Sequence, residues 1–233
     1  MKVQRLRFSY RVIGPACTLS HRQLIAAWEN ALNQAGLSLA YSEGKRPAPQ
    51  VSIASLLPMG VSSEAELVDV FLAQRTEPLR ALAAVAPLLS PGLEAFAVQE
   101  VGLSAPSLQS LVRWAEYEVL VPVEGLDQAE VAASIFRLLA CNSYPAEYRR
   151  ETKVRQYDLR PLILALHLEG QRQGCFVVRM RLRAEPQLTA RADQVLLALG
   201  LPPAVAIRRT RLYLQELQPA VLAYRRQGEL DED

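Results

Sequence analysis

The sequence predicts an α+β fold made of two consecutive βαββαβ units. Three observations indicate it. Short runs of alternating or strand-like apolar residues predict strands, and longer runs with apolar residues at every third or fourth position predict amphipathic helices. These runs follow one another in the same order in both halves of the chain, with a period of about 110 residues. We therefore treat the chain as a duplication of one structural unit.

The first half has clear helix boundaries. Its opening strand covers residues 3–10, where apolar side chains alternate with polar ones. A helix follows, because Ser20 and Gln23 have the spacing of a capping box and Gly36 occupies the position of a C-cap glycine. The remaining predicted elements are strands over 50–56 and 66–73, a helix over 77–89 and a strand over 94–103.

The second half repeats this order. Its first strand covers 117–123, and the spacing of Asp127 and Glu130 predicts a capped helix through Leu139. A loop containing Gly170 and Gly174 predicts a hairpin. The remaining predicted elements are strands over 161–168 and 175–183, a helix over 187–199 and a closing strand over 204–217.

The βαββαβ order is that of the ferredoxin-like split motif. We predict ferredoxin-like unit 1 over residues 1–110, ferredoxin-like unit 2 over 111–228 and an acidic tail over 229–233. In each unit, an antiparallel sheet carries two helices on one face. The other face is then open for packing or for binding.

The composition excludes several classes of protein. Half of the 233 residues are apolar, 21% are charged, and the formal net charge is +2, as in ordinary globular proteins. The sequence contains no apolar run of membrane-spanning length and no signal peptide at its start, so we expect a cytoplasmic protein that does not enter a membrane. Cys17, Cys141 and Cys175 lack the spacing of a disulfide framework or a metal site. We predict neither a metal nor a cofactor.

Arginines form the first candidate site. A sheet face of guanidinium groups beside an aromatic ring binds phosphates and stacks bases. The candidate anion-binding or nucleic-acid-binding residues are Arg5, Arg7, Arg179, Arg181, Arg183, Arg209, Arg211 and Tyr213. The alternative is a solvated surface on which these arginines pair with acidic residues of the neighbouring strand, Glu116 and Glu118.

The sequence contains no recognisable catalytic motif. His21 and His167 are its two histidines, and neither has a partner at metal-ligand spacing. His21 is the candidate catalytic residue, because the positive end of the predicted helix favours a neutral imidazole there. The sequence has no phosphate-binding glycine loop and no serine-hydrolase motif.

The first 70 residues carry a recognisable signature. It includes a Leu19-Ser20-His21 step, a turn over residues 40–44, and a segment shaped by prolines. The residues of this motif loop are Ser20, His21, Tyr41, Ser42, Gly44, Pro47 and Ser52. In these residues the chain resembles the bacterial radical-SAM-linked proteins (DUF2344-type), a family of unknown function encoded beside or fused to a radical SAM protein. The resemblance implies a radical SAM protein as partner and implies no established reaction.

Three functional hypotheses follow. The first is a non-catalytic companion of a radical SAM enzyme that recognises RNA or presents a substrate through arginine-rich sheet faces. The alternative is an RNA-cleaving or RNA-modifying enzyme that uses His21 with Ser20, Tyr41 or Ser42. A second alternative is a protein–protein adaptor, in which Arg179 and its neighbours pair with acidic groups.

Overall fold

A large sheet with helices on one side organises the protein. The computed structural model describes residues 1–150 and 153–215, so the predicted acidic tail and the end of the second predicted unit lie outside the described residues. The strands are β1 (Gln4–Val12), β2 (Val51–Ile53), β3 (Ser62–Leu72), β4 (Leu93–Val101), β5 (Val112–Pro122), β6 (Pro145–Arg150), β7 (Lys153–Asp158), β8 (Ile163–Arg172), β9 (Cys175–Glu185), β10 (Leu188–Thr189) and β11 (Ala206–Leu214). The helices are α1 (His21–Gln34), α2 (Pro78–Val85), α3 (Leu108–Leu111), α4 (Gln128–Ala140) and α5 (Ala192–Ala198). The predicted mixture of helices and strands, with helices on one side of the sheet, is confirmed.

The two halves share one continuous sheet. Its path is β9-β5-β11-β3-β1-β4, with β8 and β10 paired to β9 and β2 paired to β3. Pairing within each half is antiparallel. The halves meet where β11 runs parallel to β3, with Arg208 opposite Ser62 and Arg209 opposite Ser63. Sequence patterns predicted a sheet in each unit, and this parallel contact joins the two into one.

Each half has its own apolar core between sheet and helices. In the first half, the ring of Trp28 lies 5.5 Å from that of Phe8 and 5.0 Å from that of Tyr10. The helix that carries Trp28 begins as predicted, because the Gln23 N–H donates to Ser20 Oγ and the Ser20 N–H donates to the Gln23 side chain. This cap fixes where α1 starts above the sheet.

Some predicted boundaries differ from the observed ones. Strand β5 begins five positions earlier than predicted. A bulge between Val112 and Trp114 interrupts the alternation of apolar and polar residues there, and it hides the start of the strand from a simple alternation pattern. Helix α5 begins later, because Leu188 and Thr189 pair with the end of β9. The hairpin of β6 and β7 was not predicted, since its charged segment has no apolar alternation. Local patterns therefore identified element types better than element ends.

Candidate functional site

The face of the sheet opposite the helices carries charged and aromatic side chains in three rows. Each row crosses β11, β5 and β9, because residues opposite each other on paired strands point to the same face. The rows are Arg208 with Glu118 and Arg179, Arg211 with Glu116 and Arg181, and Tyr213 with Trp114 and Arg183. We call this set the charged face.

Glu118 is the centre of the first row. Its side chain is only 4% exposed. Its Oε1 accepts from Arg172 at 2.5 Å and from Arg208 at 2.8 Å, and its Oε2 forms an ion pair with Arg179 at 2.8 Å. Burial acts to raise the pKa of Glu118, but the hydrogen bond from Arg172 and the charges of Arg208 and Arg179 outweigh it and lower the pKa. These arginines therefore hold a buried carboxylate and stiffen the face.

The arginines of β9 all have acidic partners. Arg181 donates from Nε and Nη2 to Oε1 of Glu116 at 3.0 and 2.6 Å. Arg183 pairs with Glu185 at 2.6 Å, and Arg179 pairs with Glu169 at 2.5 Å as well as with Glu118. The face is thus a network of exposed and half-exposed ion pairs, with less uncompensated positive charge than the sequence suggests.

Arg211 differs from its neighbours. No carboxylate of the described residues lies within salt-bridge distance of it, and its Nη1 donates to the Tyr213 hydroxyl at 3.4 Å. The Tyr213 ring stacks on Trp114 with centroids 5.4 Å apart and planes inclined by 27°. The Arg181 guanidinium lies 5.9 Å from the Tyr213 centroid. A cation that forms no salt bridge with the described residues therefore stands beside a half-exposed aromatic stack.

A β-bulge separates Arg209 from Arg211. The bulge at Thr210 shifts the register, so Arg211 faces outward while Arg209 lies opposite Tyr117 in the interior and is 1% exposed. Arg209 donates to Glu66 Oε1 at 2.8 Å, to the Leu56 carbonyl at 3.0 Å and to the Tyr117 hydroxyl at 3.3 Å. Burial alone would lower the pKa of Arg209, but Glu66 and Tyr117 raise it. Simple alternation placed Arg209 with Arg211, and the structure places it in the core.

Arg5 and Arg7 are also interior residues. Both donate to Asp69, which is fully buried, with Arg7 Nε 2.7 Å from Oδ1. Arg5 also donates to the carbonyls of Ala105 and Pro106 at 2.9 Å. Because both arginines are buried and paired with Asp69, they do not form an exposed phosphate-binding surface with the charged face.

A groove of about 620 Å³ runs along the charged face. Four arginines line it, namely Arg179, Arg181, Arg208 and Arg211. Three glutamates line it as well, Glu64, Glu116 and Glu169. His167 also lies here, opposite Arg179 on the neighbouring strand. The groove therefore offers hydrogen-bond donors and acceptors side by side.

The motif loop does not form a catalytic cluster with His21. His21 is exposed at the start of α1, while the Ser20 hydroxyl bonds to the Gln23 side chain and Ser42 accepts from the Ala48 N–H at 3.1 Å. Tyr41 is half exposed and bridges to Pro49. Pro47 is exposed, Gly44 has a φ of 127°, and Ser52 on β2 lies opposite Asp69. In the part of the chain that the structure describes, no hydrogen bond links His21 to Ser20, Tyr41 or Ser42.

Residues 1–150 and 153–215 contain no group of three or more His, Cys, Asp and Glu side chains arranged to hold a metal ion. They also contain no helix with the length and apolarity needed to cross a membrane.

Sequence reasoning missed Trp114 as a site residue. The predicted strand began at 117, three positions beyond it. The sequence does contain a pattern that indicates it. Trp114, Glu116 and Glu118 are two residues apart from one another, and they share one face of β5.

Comparisons with known proteins concern family and fold. No curated protein matches the chain. The chain is similar to one chain of a solved structure described as "Crystal Structure of a Cbf5-Nop10-Gar1 Complex", with a TM-score of 0.51 and 14% sequence identity. The similarity covers 97% of this chain and 57% of that chain, so our chain spans little more than half of that longer one, and the likeness concerns the fold. A family model described as "Uncharacterized protein conserved in bacteria (DUF2344)" matches residues 5–192, and the chain belongs to this family.

Proposed function

We propose that the protein is a non-catalytic binding protein that accompanies a radical SAM protein and recognises single-stranded RNA on its charged face. The radical SAM partner rests on the resemblance carried by the motif loop around His21 and Tyr41. RNA recognition rests on one observation, the position of Arg211 beside the stacked rings of Trp114 and Tyr213.

This arrangement has the components of a single-strand site. Bases stack on aromatic side chains whatever their sequence, and a guanidinium binds phosphate through a bidentate contact. Arg211 is exposed and Tyr213 is half-exposed among the residues that the structure describes. A nucleotide that stacks beside Tyr213 would place its phosphate within reach of Arg211.

We also propose that the two halves are ferredoxin-like units joined where β11 pairs with the beginning of β3. In the first half the strand order is β4-β1-β3-β2, and in the second half it is β11-β5-β9-β8. The hairpin of β6 and β7 forms a separate sheet. Among the four strands named in each half, the first and the third in chain order are central and neighbouring, as in the split βαββαβ motif. The charged face would then be the open face of the second unit, extended by Glu64 of the first.

Because most arginines of the charged face are already ion-paired, we expect the RNA binding constant to depend only weakly on salt concentration. For single strands, the logarithm of the binding constant falls with the logarithm of salt concentration by about 0.7 per phosphate contact. Because Arg211 forms no salt bridge within the described part of the chain and the ion-paired Arg181 is 46% exposed, we expect one or two such contacts and a slope between about −0.7 and −1.4.

The test is fluorescence anisotropy with a labelled single-stranded RNA across a salt titration. Arg211→Glu should weaken binding and flatten the slope by about 0.7. Arg75→Glu is the matched control, because Arg75 is a 71%-exposed, ion-paired arginine of the first half and the charge change is the same. The proposal fails if the folded wild-type protein binds no RNA at about 50 mM salt, or if both variants weaken binding equally.

A protein–protein adaptor is the second candidate, and the acidic partners of Arg179, Arg181 and Arg183 favour it. A nearly neutral, ion-paired face suits a protein surface better than a phosphate chain. For an adaptor, Arg179→Glu should reduce protein stability and leave RNA affinity unaffected. Co-purification with the radical SAM protein should then depend on the charged face.

A further inference from the structure

We infer that the charged face selects guanine among the RNA bases, with Glu116 as the specificity-determining residue. This inference rests on the proposed function, because it assigns the base that the RNA site recognises. Glu116 would accept from the two donors on the Watson–Crick edge of guanine. Arg181 and Arg211 would donate to its O6 and N7.

Glu116 has an available oxygen. It lies in register between Arg211 on one side and Arg181 on the other. Both donors of Arg181 meet the same oxygen, Oε1, and no hydrogen bond to Oε2 comes from the described residues. The Glu116 side chain is 24% exposed and that of Arg181 is 46% exposed. An acceptor and donors are therefore presented side by side at the groove.

Guanine fits this pattern better than the other bases. Its N1–H and N2–H₂ groups are adjacent donors that match a carboxylate, which only accepts. Its O6 and N7 atoms are adjacent acceptors that match a guanidinium, a pairing common in nucleic-acid recognition. Adenine and cytosine each offer one amino group, and uracil offers one N–H between two carbonyls. A uniformly basic face would attract phosphate without this discrimination.

The neighbouring row supplies the stacking surface. Tyr213 lies two residues after Arg211 on β11 and Trp114 lies two residues before Glu116 on the antiparallel β5, which corresponds to roughly 7 Å. A base held at Glu116 or the next base along the strand lies within reach of these rings. Edge recognition and stacking then come from adjacent rows of one rigid sheet.

The experiment compares single-stranded uridine oligomers that carry one central G, A, C or U. We expect the oligomer with G to bind wild-type protein at least about fivefold more tightly than the others. In Glu116→Gln, the G preference should largely disappear. Binding of the all-uridine oligomer should become tighter, because Arg181 loses its carboxylate partner and becomes available to phosphate.

Glu64→Gln is the matched control. Glu64 lines the same groove and pairs with Arg208, so this variant makes the same charge change without touching the Glu116 row. It should keep the G preference. Glu116→Asp retains the charge with a shorter reach, and it provides a second variant that should lose selectivity if Glu116→Gln does not fold.

The outcomes separate this inference from the proposed function. If no oligomer binds, the proposed function fails and the inference fails with it. If all oligomers bind equally well, RNA recognition stands and guanine selection is overturned. If the preference persists in both Glu116 variants, Glu116 is not the residue that reads the base.

Discussion

Arg209 of β11 donates to Glu66 of β3 over 2.8 Å, and neither side chain is more than 2% exposed. This ion pair joins the two halves close to the parallel contact between their strands. Ser63 also donates to Glu66, and Arg209 reaches the Leu56 carbonyl, so the pair is embedded in a hydrogen-bonded network. The relative position of the halves therefore depends on the buried ion pair between Arg209 and Glu66.

Replacing Arg209 with Met should destabilise the protein by about 3–5 kcal/mol, because Glu66 would remain buried without its cation. Urea unfolding measures this change. Arg11→Met is the control. Because Arg11 and Glu94 are each 50% exposed, this variant should lower the free energy of unfolding by less than about 1 kcal/mol. Adding Glu66→Gln to Arg209→Met should recover part of the loss. If Arg209→Met destabilised the protein no more than Arg11→Met does, the buried Arg209–Glu66 pair would not be what stabilises the contact between the halves.

Glu118 should make stability depend on pH in the acid range. Its pKa is lowered in the folded protein, so the stability it contributes is fully present above its unfolded pKa and is lost as the pH falls through the folded value. At pH 7, Glu118→Gln should cost about 1.5–3 kcal/mol. The difference between wild type and variant should shrink below about pH 4. A difference that is the same at pH 3 and pH 7 would show that the charge of Glu118 is not what stabilises the face.

RNA binding should quench the fluorescence of one tryptophan. The chain has two, and Trp28 is fully buried while Trp114 is half-exposed on the charged face. A base stacking at this face changes the surroundings of Trp114 alone. Trp114→Phe should therefore abolish the RNA-dependent signal and retain most of the emission of Trp28. Quenching that survives in Trp114→Phe would place the RNA elsewhere.

Gly92→Ala should destabilise the first half by about 1–3 kcal/mol. Gly92 has a φ of 89°, and an added Cβ would stand 2.2 Å from the Ile13 carbonyl oxygen. Gly102→Ala is the control, because a Cβ there meets no atom within 4 Å and its φ is not in the left-handed region. Thermal unfolding of the two variants gives the comparison. Equal melting temperatures would show that Gly92 does not lie as close to the Ile13 carbonyl as the structure indicates.

The sequence was most informative where structure depends on neighbours in the chain. The capping box of Ser20 and Gln23 predicted the start of α1, because both partners lie within one helical turn. Asp127 likewise caps α4 by accepting from Ala129 and Glu130. The alternation in β9 correctly indicated that Arg179, Arg181 and Arg183 share one face.

The candidate site was less predictable, because a single bulge changes which face a side chain occupies. Arg209 and Arg211 are two positions apart, and ideal alternation gives them the same face. The extra residue at Thr210 sends Arg209 inward and leaves Arg211 outside. Arg5 and Arg7 do alternate as expected, but both are buried against Asp69, and Arg5 also donates to the carbonyls of Ala105 and Pro106.

The sequence by itself determined the mixture of helices and strands, the main helix cap and the charge of the strands, since these depend on local spacing and composition. The tertiary structure decided which arginines face solvent and which acid each one meets. It also decided that the two halves share one sheet through Ser62, Ser63 and their partners on β11. The physical reason is that ion pairing and burial depend on residues distant in sequence, such as Arg209 and Glu66, whose separation no local pattern encodes.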